Sequence, residues 1–350
     1  MKKGVRIVYL WSEMSGYTQD LLLELSKYSD SIDVIFWDKK KINSSEYKYS
    51  NHPKITFHAR SVTHDKEILQ ILNQASPNIV VVSGWMDKSY INACKKYKKK
   101  DPFVKIVAGI DDQWIGSIRQ YIGIMYFHLF YRRVFDYMWV SGAEQYCYSR
   151  FFGYKPNKII SYLYSGAYNY NEESYSVNNK FIYVGRLMKS KGVDLLIDAH
   201  KALSQSEREK FPLHIYGSGE LLEYVKINCD DHLHYHGWVN TEDFISVMSA
   251  GGIGVMPSRK EAWGVSIHEY TQFGLPILIS DSCGSKNELC IPGYNGYTFK
   301  NDSLISLTNA LRKFIHYDTE IIKQMSKNSF KLSARINTEF SAASLLSLLN

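Results

Sequence analysis

Short apolar runs rich in β-branched residues alternate along the chain with stretches whose apolar residues recur at helical spacing. VRIVYL precedes a helix beginning about Thr18, IDVIFW follows, and NIVVVSG leads into a helix from about Asp87; FVKIVAG and YMWVSG are each followed by a further helix. Runs that stay apolar on both faces and are separated by helices predict parallel strands joined by crossovers. Over Tyr168–Lys180, YNYNEESYSVNNK, the pattern lapses into Asn, Ser and Glu, which reads as a linker. It then restarts: KFIYVGR, a helix from about Gly192, LHIYGSGE, LHYHGWV, GIGVMPS and PILIS, then GYNGYTF and helices from Asp302 onward. The expectation is two consecutive doubly wound α/β domains, 1–170 and 180–335. Ligands of such sheets sit beyond the carboxyl ends of the strands, so VGR, YGSGE, HGWV and MPSRKEAWG are expected to converge on one cleft.

Size and composition agree with two cores: 350 residues exceed what one core usually serves. The first thirty residues lack the apolar stretch and cleavage site of a signal peptide, and the five cysteines show neither CxxC pairs nor metal-ligand spacing. A cytoplasmic chain with reduced thiols is expected. The richest apolar segment, Tyr121–Val140, is broken by His128, Arg132, Arg133 and Asp136, which argues against a membrane span; the Tyr and Phe of MYFHLFYRR read as helix core, with docking at a membrane interface as the alternative. The formal charge of +7 is one-sided. Residues 1–179 hold 24 Lys+Arg against 17 Asp+Glu, and the remainder holds 18 of each. Much of the excess lies in KKYKKK (Lys95–Lys100) and DKKK (Asp38–Lys41), runs that are ordinarily solvated but would permit peripheral contact with the anionic inner face of the cell membrane.

The chemistry concentrates in the second half. GRLMKSKG, from Gly185 to Gly192, sets Arg186 and Lys191 at a strand-to-helix turn flanked by glycines, a pairing of planar fork and compact charge that suits a diphosphate. YGSGE is a second glycine-rich strand end, where Gly217 could admit a ligand or merely make a turn. Neither it nor YLWSEMSG completes a GxGxxG fingerprint, so a nicotinamide dehydrogenase loses its main signature. Glu261 and Glu269 are eight positions apart around a probable helix start at Gly264, whose first amides, from Gly264, Val265 and Ser266, could hold a phosphate. Were the interval all helix, the carboxylates would stand about 12 Å apart along the axis. That exceeds the roughly 5–9.5 Å of a glycosidase acid and base pair. The two suit the ends of a long ligand whose charged middle rests on the amides, a shape that a nucleotide sugar has. His232, His234 and His236 alternate along a strand, and no metal site is expected there.

These residues carry a family likeness. MPSRKEAWGVSIHEYTQFGLPILISDSCGSKNEL, with its E-x(7)-E, resembles the donor-site signature of retaining GT-B glycosyltransferases of the glycosyltransferase family 4 type. YVGRLMKSKGVDLLIDA resembles the same family's paired Arg and Lys, PGYNGYTF its downstream turn, and MWVSGAEQYCYSRFFGYKPNKI its exit from the first domain. The resemblance implies the GT-B fold: two Rossmann-like domains facing a central cleft, the first binding acceptor, the second binding donor, and a C-terminal helix, 336–350, packing back on the first.

By that resemblance Arg186 and Lys191 would neutralise the departing diphosphate, Glu269 would hold the ribose and Glu261 the transferred sugar. Gly264 and Val265 would offer amides, with Ser266 beside them; Gly185 and Gly217 would let the nucleotide approach, and the Trp238–Val239 backbone would edge the base. The family uses no metal and no cofactor beyond its UDP- or GDP-type substrate. Asp111, in VAGIDDQW, stands where many relatives carry His; it would accept hydrogen bonds from sugar or acceptor hydroxyls, or else cap the following helix. Gly16, in SEMSGY, lies on the first strand-to-helix loop and is either an approach point for donor and acceptor or a plain turn. The reaction implied moves a hexose with retention from a nucleoside diphosphate sugar to a glycan or lipid-linked acceptor, in bacterial surface polysaccharide synthesis (O-antigen, capsule or exopolysaccharide), with no nucleic acid as partner. The alternatives are a catalytically impaired nucleotide-sugar-binding partner and a GT-B-fold nucleotide-sugar epimerase.

Overall fold

Continuous apolar runs become parallel strands when both faces of the sheet are covered, and both sheets of this chain are built that way. The structure, a computed structural model, describes residues 4–38, 50–166, 168 and 177–349. The linker read at Tyr168–Lys180 and the Asp38–Lys41 run fall largely outside them. The chain divides into two compact units: Met1–Ala167 together with Asn337–Asn350, and Tyr168–Ile336.

In the first unit, β1 (Arg6–Trp11), β2 (Ser31–Phe36), β3 (Ile55–Ala59), β4 (Ile79–Val82), β5 (Lys105–Ile110), β6 (Tyr137–Val140) and β7 (Ile159–Ile160) form one parallel sheet in the order β3-β2-β1-β4-β5-β6-β7. Alternate residues serve opposite cores: Val8, Leu10, Val80 and Val82 on one face, Ile7, Tyr9, Ile79 and Val81 on the other. β3 and the helix Asp65–Ala75 after it escape the pattern of apolar runs. β3 is an edge strand with one fully buried residue, and the helix buries only Ile68 and Leu72. The last helix, Thr338–Leu346, packs on the helix Gly16–Ser26, so that Ala342 and Leu345 share a core with Leu21, Leu22 and Leu25. Ser341 adds a hydroxyl bond to the Tyr162 carbonyl.

One assignment holds in part. Of the aromatics in MYFHLFYRR, Phe127 and Tyr131 are buried in the core, whereas Tyr126 and Phe130 are exposed.

The second unit repeats the plan. β8 (Phe181–Val184), β9 (Leu213–Tyr216), β10 (Leu233–Tyr235), β11 (Ile253–Met256), β12 (Ile277–Ser280) and β13 (Gly296–Phe299) are parallel in the order β10-β9-β8-β11-β12-β13. Strand succession reverses direction between β8 and β11. In a doubly wound sheet this is the switch point, where two loops diverge and leave a crevice at the carboxyl edge.

Candidate active site

The loops leaving β8, β9 and β11 are bound to one another by their backbones. The β8–β9 register pairs Val184 with Tyr216 and so brings Gly185 and Gly217 side by side. The Gly185 amide donates to the Tyr216 carbonyl at 3.1 Å, Leu187 to Ser218 at 2.8 Å, and Gly217 to Gly237 at 2.8 Å. A Cβ on Gly217, where φ is 137°, would lie 1.9 Å from the Gly185 carbonyl oxygen, so the bare backbone is a local steric requirement at this strand end. Tyr235 donates to the Gly217 carbonyl at 2.9 Å, which fixes the turn that carries Trp238 and Val239. Trp238 is 62% exposed.

Across the switch point, the Arg259 amide donates to the Ser190 carbonyl at 2.9 Å. The Arg259 guanidinium then reaches Asp194 at 2.6 Å, the Lys189 carbonyl at 2.7 Å and Asp302 at 2.6 Å. Five donors in a rigid fork suit such a clasp, and Arg259 locks the GRLMKSKG loop against the loop leaving β11. The result places Lys191 Nζ 2.5 Å from Glu261 Oε2, both side chains mostly buried; Ser258 Oγ donates to the same oxygen at 3.2 Å. Arg186, by contrast, is exposed and its guanidinium has no hydrogen-bond or ion-pair partner among the described residues.

Glu261 is not helical. It forms a parallel bridge with Cys283, and Gly284 and Ser285 donate to the carbonyls of Glu261 and Trp263 at 3.1 Å each. The helix begins only at Val265, after Gly264 at φ 96° as N-cap, and no side chain caps it. The axial spacing of a continuous helix therefore does not apply to the two glutamates. First-turn amides of an α-helix have no intrahelical acceptor, so those of Val265 and Ser266 stay available beside the Lys191–Glu261 pair.

Glu269 lies in the second turn of this helix. Desolvation by the surrounding protein pushes its carboxyl up to about 7, and the carboxylate has no partner among the described residues. Its neighbour Tyr270, which sequence reasoning missed, is fully buried; its hydroxyl accepts from the Val184 amide at 2.8 Å and lies 3.3 Å from the Val184 carbonyl. Gly254 makes the room, since a Cβ there would lie 2.5 Å from the Tyr270 ring. Tyr270 thus pins the end of β8 to the helix that bears Glu269. No spacing rule would have singled it or Arg259 out, because each acts through contacts distant in sequence.

Arg186, Lys191, Gly185, Gly217, Trp238, Val239, Glu261, Gly264, Val265, Ser266 and Glu269 thus all belong to the carboxyl edge of the second sheet or to the helix starting there. Asp111 and Gly16 belong to the first unit. Asp111 follows β5, is exposed, and accepts from Tyr164 Oη at 3.4 Å. It does not cap the next helix: Ser117 and Gln120 form that capping box. Gly16 is the first residue of the helix Gly16–Ser26, whose cap is Ser15. Tyr17 packs edge-on against Tyr164 at 5.2 Å, so Tyr164, also missed, touches the neighbourhoods of both. Of the alternating histidines, His236 bonds to His214 of β9 at 2.9 Å, and the His234 ring lies 5.0 Å from that of His214.

This arrangement defines the class. Residues 170–332 match the family described as Glycosyl transferases group 1, and the second unit belongs to that family. Among curated proteins, the chain is similar to an uncharacterised glycosyltransferase of Methanocaldococcus jannaschii, 28% identical over 174 residues that cover 49% of this chain and 46% of the relative. It is also similar to the lipopolysaccharide 1,6-galactosyltransferase of Escherichia coli K12, 26% identical over 145 residues, 39% of each chain. The chain thus spans less than half the length of these curated relatives. In fold it resembles the Anabaena protein HepE in complex with UDP, with a TM-score of 0.74 at 15% identity over 99% of both chains. Two parallel-sheet Rossmann-like domains of the GT-B type are therefore the architecture.

Proposed function

We propose that this protein moves a hexose, with retention of anomeric configuration, from a nucleoside diphosphate sugar to a glycan or lipid-linked acceptor during bacterial surface polysaccharide assembly. The observation that carries the reading is the Lys191–Glu261 pair, locked by Arg259 at the switch point next to an uncapped helix start. Three positive features, Lys191, the exposed Arg186 and the free amides, surround the place where a diphosphate would gather charge as the glycosidic bond breaks. Donors held ready for developing charge lower a barrier without reorganisation. Glu261 would orient the sugar hydroxyls and Glu269 the ribose, because an ionised carboxylate accepts several hydrogen bonds. Asp111 would serve acceptor hydroxyls on the first unit. Leaving-group stabilisation by side chains and amides calls for no metal. The name of the Escherichia coli relative and the UDP in the HepE complex support the choice of substrates.

The deciding experiment is proton NMR of the first-formed glycoside, made with EDTA present from a panel of UDP- and GDP-hexoses. A product anomer matching the donor is expected. An inverted anomer, or turnover abolished by EDTA, overturns the mechanism.

A further inference from the structure

The helix Ile118–Phe130 is apolar on both sides. One side sends Phe127 into the protein. On the other, Ile118, Ile122, Met125 and Leu129 are 79, 57, 60 and 71% exposed. At 3.6 residues per turn these four fall within an arc of about 60°, a continuous stripe along the whole helix. A helix apolar all round is ordinarily buried, and a contiguous exposed apolar face marks a surface that meets a partner. The face extends beyond the helix through Trp114, whose ring lies 4.4 Å from that of the exposed Phe151.

The charge on the helix and the turn after it has one sign, while the exposed Asp111 and Asp112 stand at the Trp114 end of the face. From Gln113 to Phe135 the chain holds Arg119, Arg132 and Arg133 and no Asp or Glu. Arg132 is held against the Tyr154 ring at 4.1 Å, whereas Arg119 and Arg133 are exposed. Lys95 approaches the same element, 5.4 Å from the centre of the Tyr131 ring at the helix's C-terminal end. Exposed Tyr121 and Tyr126 flank the stripe, and amphipathic rings of this kind favour a boundary between water and hydrocarbon.

We propose that this helix lies flat in the interfacial layer of an anionic lipid bilayer, with the Ile118–Leu129 stripe among the acyl chains and Arg119 and Arg133 at the headgroup phosphates. Thirteen residues rise about 20 Å, short of the roughly 30 Å of hydrocarbon, and among the described residues no helix is long and apolar enough to cross a membrane. A second copy of the chain fits less well, because a twofold contact through the stripe would set the same arginines against each other in a water-poor interface. The inference stands apart from sugar transfer, since lipid binding is read without donor or acceptor.

The test is co-sedimentation of the full chain with vesicles of phosphatidylcholine, with and without phosphatidylglycerol. The parent should bind the anionic vesicles. Ile122→Ser/Leu129→Ser should weaken that binding about tenfold or more, given the apolar area lost. Arg119→Glu/Arg133→Glu should weaken it by about tenfold or more on the anionic vesicles alone, with roughly 1 kcal/mol for each basic residue at such a surface. All four side chains are exposed, so both variants should melt close to the parent. A parent that stays in the supernatant overturns the proposal. So does a serine variant that binds as the parent does, or a lipid-free dimer that the serine pair dissolves.

Discussion

The carboxyl edges of the two sheets are built on one plan and carry different chemistry. β1 and β4 in the first unit occupy the places that β8 and β11 hold in the second, with the same strand order through six positions. In the second unit the loops leaving that point bring a cation and a carboxylate together and clasp them with Arg259. At the first, Tyr17 and Tyr164 pack edge-on, and one carboxylate, Asp111, reaches the Tyr164 hydroxyl. Both edges hold charge, since Arg60 after β3 pairs with Asp87 after β4 at 3.6 Å, but the second alone sets a lysine and a glutamate beside an uncapped helix start, while Tyr17 and Tyr164 give the first an aromatic surface. Architecture therefore says where a ligand can bind, and the loop residues say which ligand.

The contrast is most exposed at Lys191 and Glu261. Either Lys191→Ala or Glu261→Ala should lower kcat/KM for donor cleavage by about 10²–10³, the usual consequence of removing a preorganised charge partner. The double variant should cost little more than either single one, because one partner alone is an uncompensated charge. Fully additive losses in that cycle would show that the two act separately.

Glu269 gives a subtler handle. Its carboxyl titrates at about 7 in the folded protein against an ordinary value of 4.5. Below pH 4.5 both folded and unfolded chains hold the proton and nothing is lost. Between 4.5 and 7 the unfolded chain alone is ionised, so stability falls as pH rises, and the penalty is complete above 7. Glu269→Gln should therefore raise the melting temperature at pH 8 and leave it unchanged at pH 4. If the ionised form accepts the ribose hydroxyls, donor affinity should climb up to about tenfold from pH 6 to 8 in the parent and stay flat in the glutamine variant. Calorimetry at several pH values reads both.

The smallest effect is expected in the first unit. Asp111→Ala removes an exposed group whose hydrogen bond from Tyr164 Oη, at 3.4 Å, is long. It should raise the acceptor KM only about three- to tenfold, roughly one hydrogen bond to a substrate, while donor-only hydrolysis stays as in the parent. A loss at Asp111 as large as that at Lys191 would erase the distinction between the two edges.

The interior strands were legible because burial on both faces leaves a continuous apolar record, as in IVVV of β4 and ILIS of β12. β3 left none, being an edge strand with polar and half-exposed positions, and β7 is two residues long. Site positions that attach to strand ends were also readable, since a glycine after a strand and a helix start after a loop are local signals. The clasp was not: Arg259 meets Asp194 and Asp302 across 65 and 43 positions, and Tyr270 meets Val184 across 86. The exposed helix misled for the converse reason. Hydrophobicity reports that a side chain would leave water if it could, and Ile118 and Leu129 show that the chain itself need not supply the cover.

The first unit takes its closing helix, Thr338–Leu346, from beyond the whole of the second. A ribosome therefore releases Leu21, Leu22 and Leu25 some three hundred residues before the Ala342 and Leu345 that cover them. Although nascent domains ordinarily mature from the amino end onward, here the downstream unit is the first to have all its sequence available, and a chain interrupted near residue 336 would bring an intact second unit together with a first whose apolar flank is still bare.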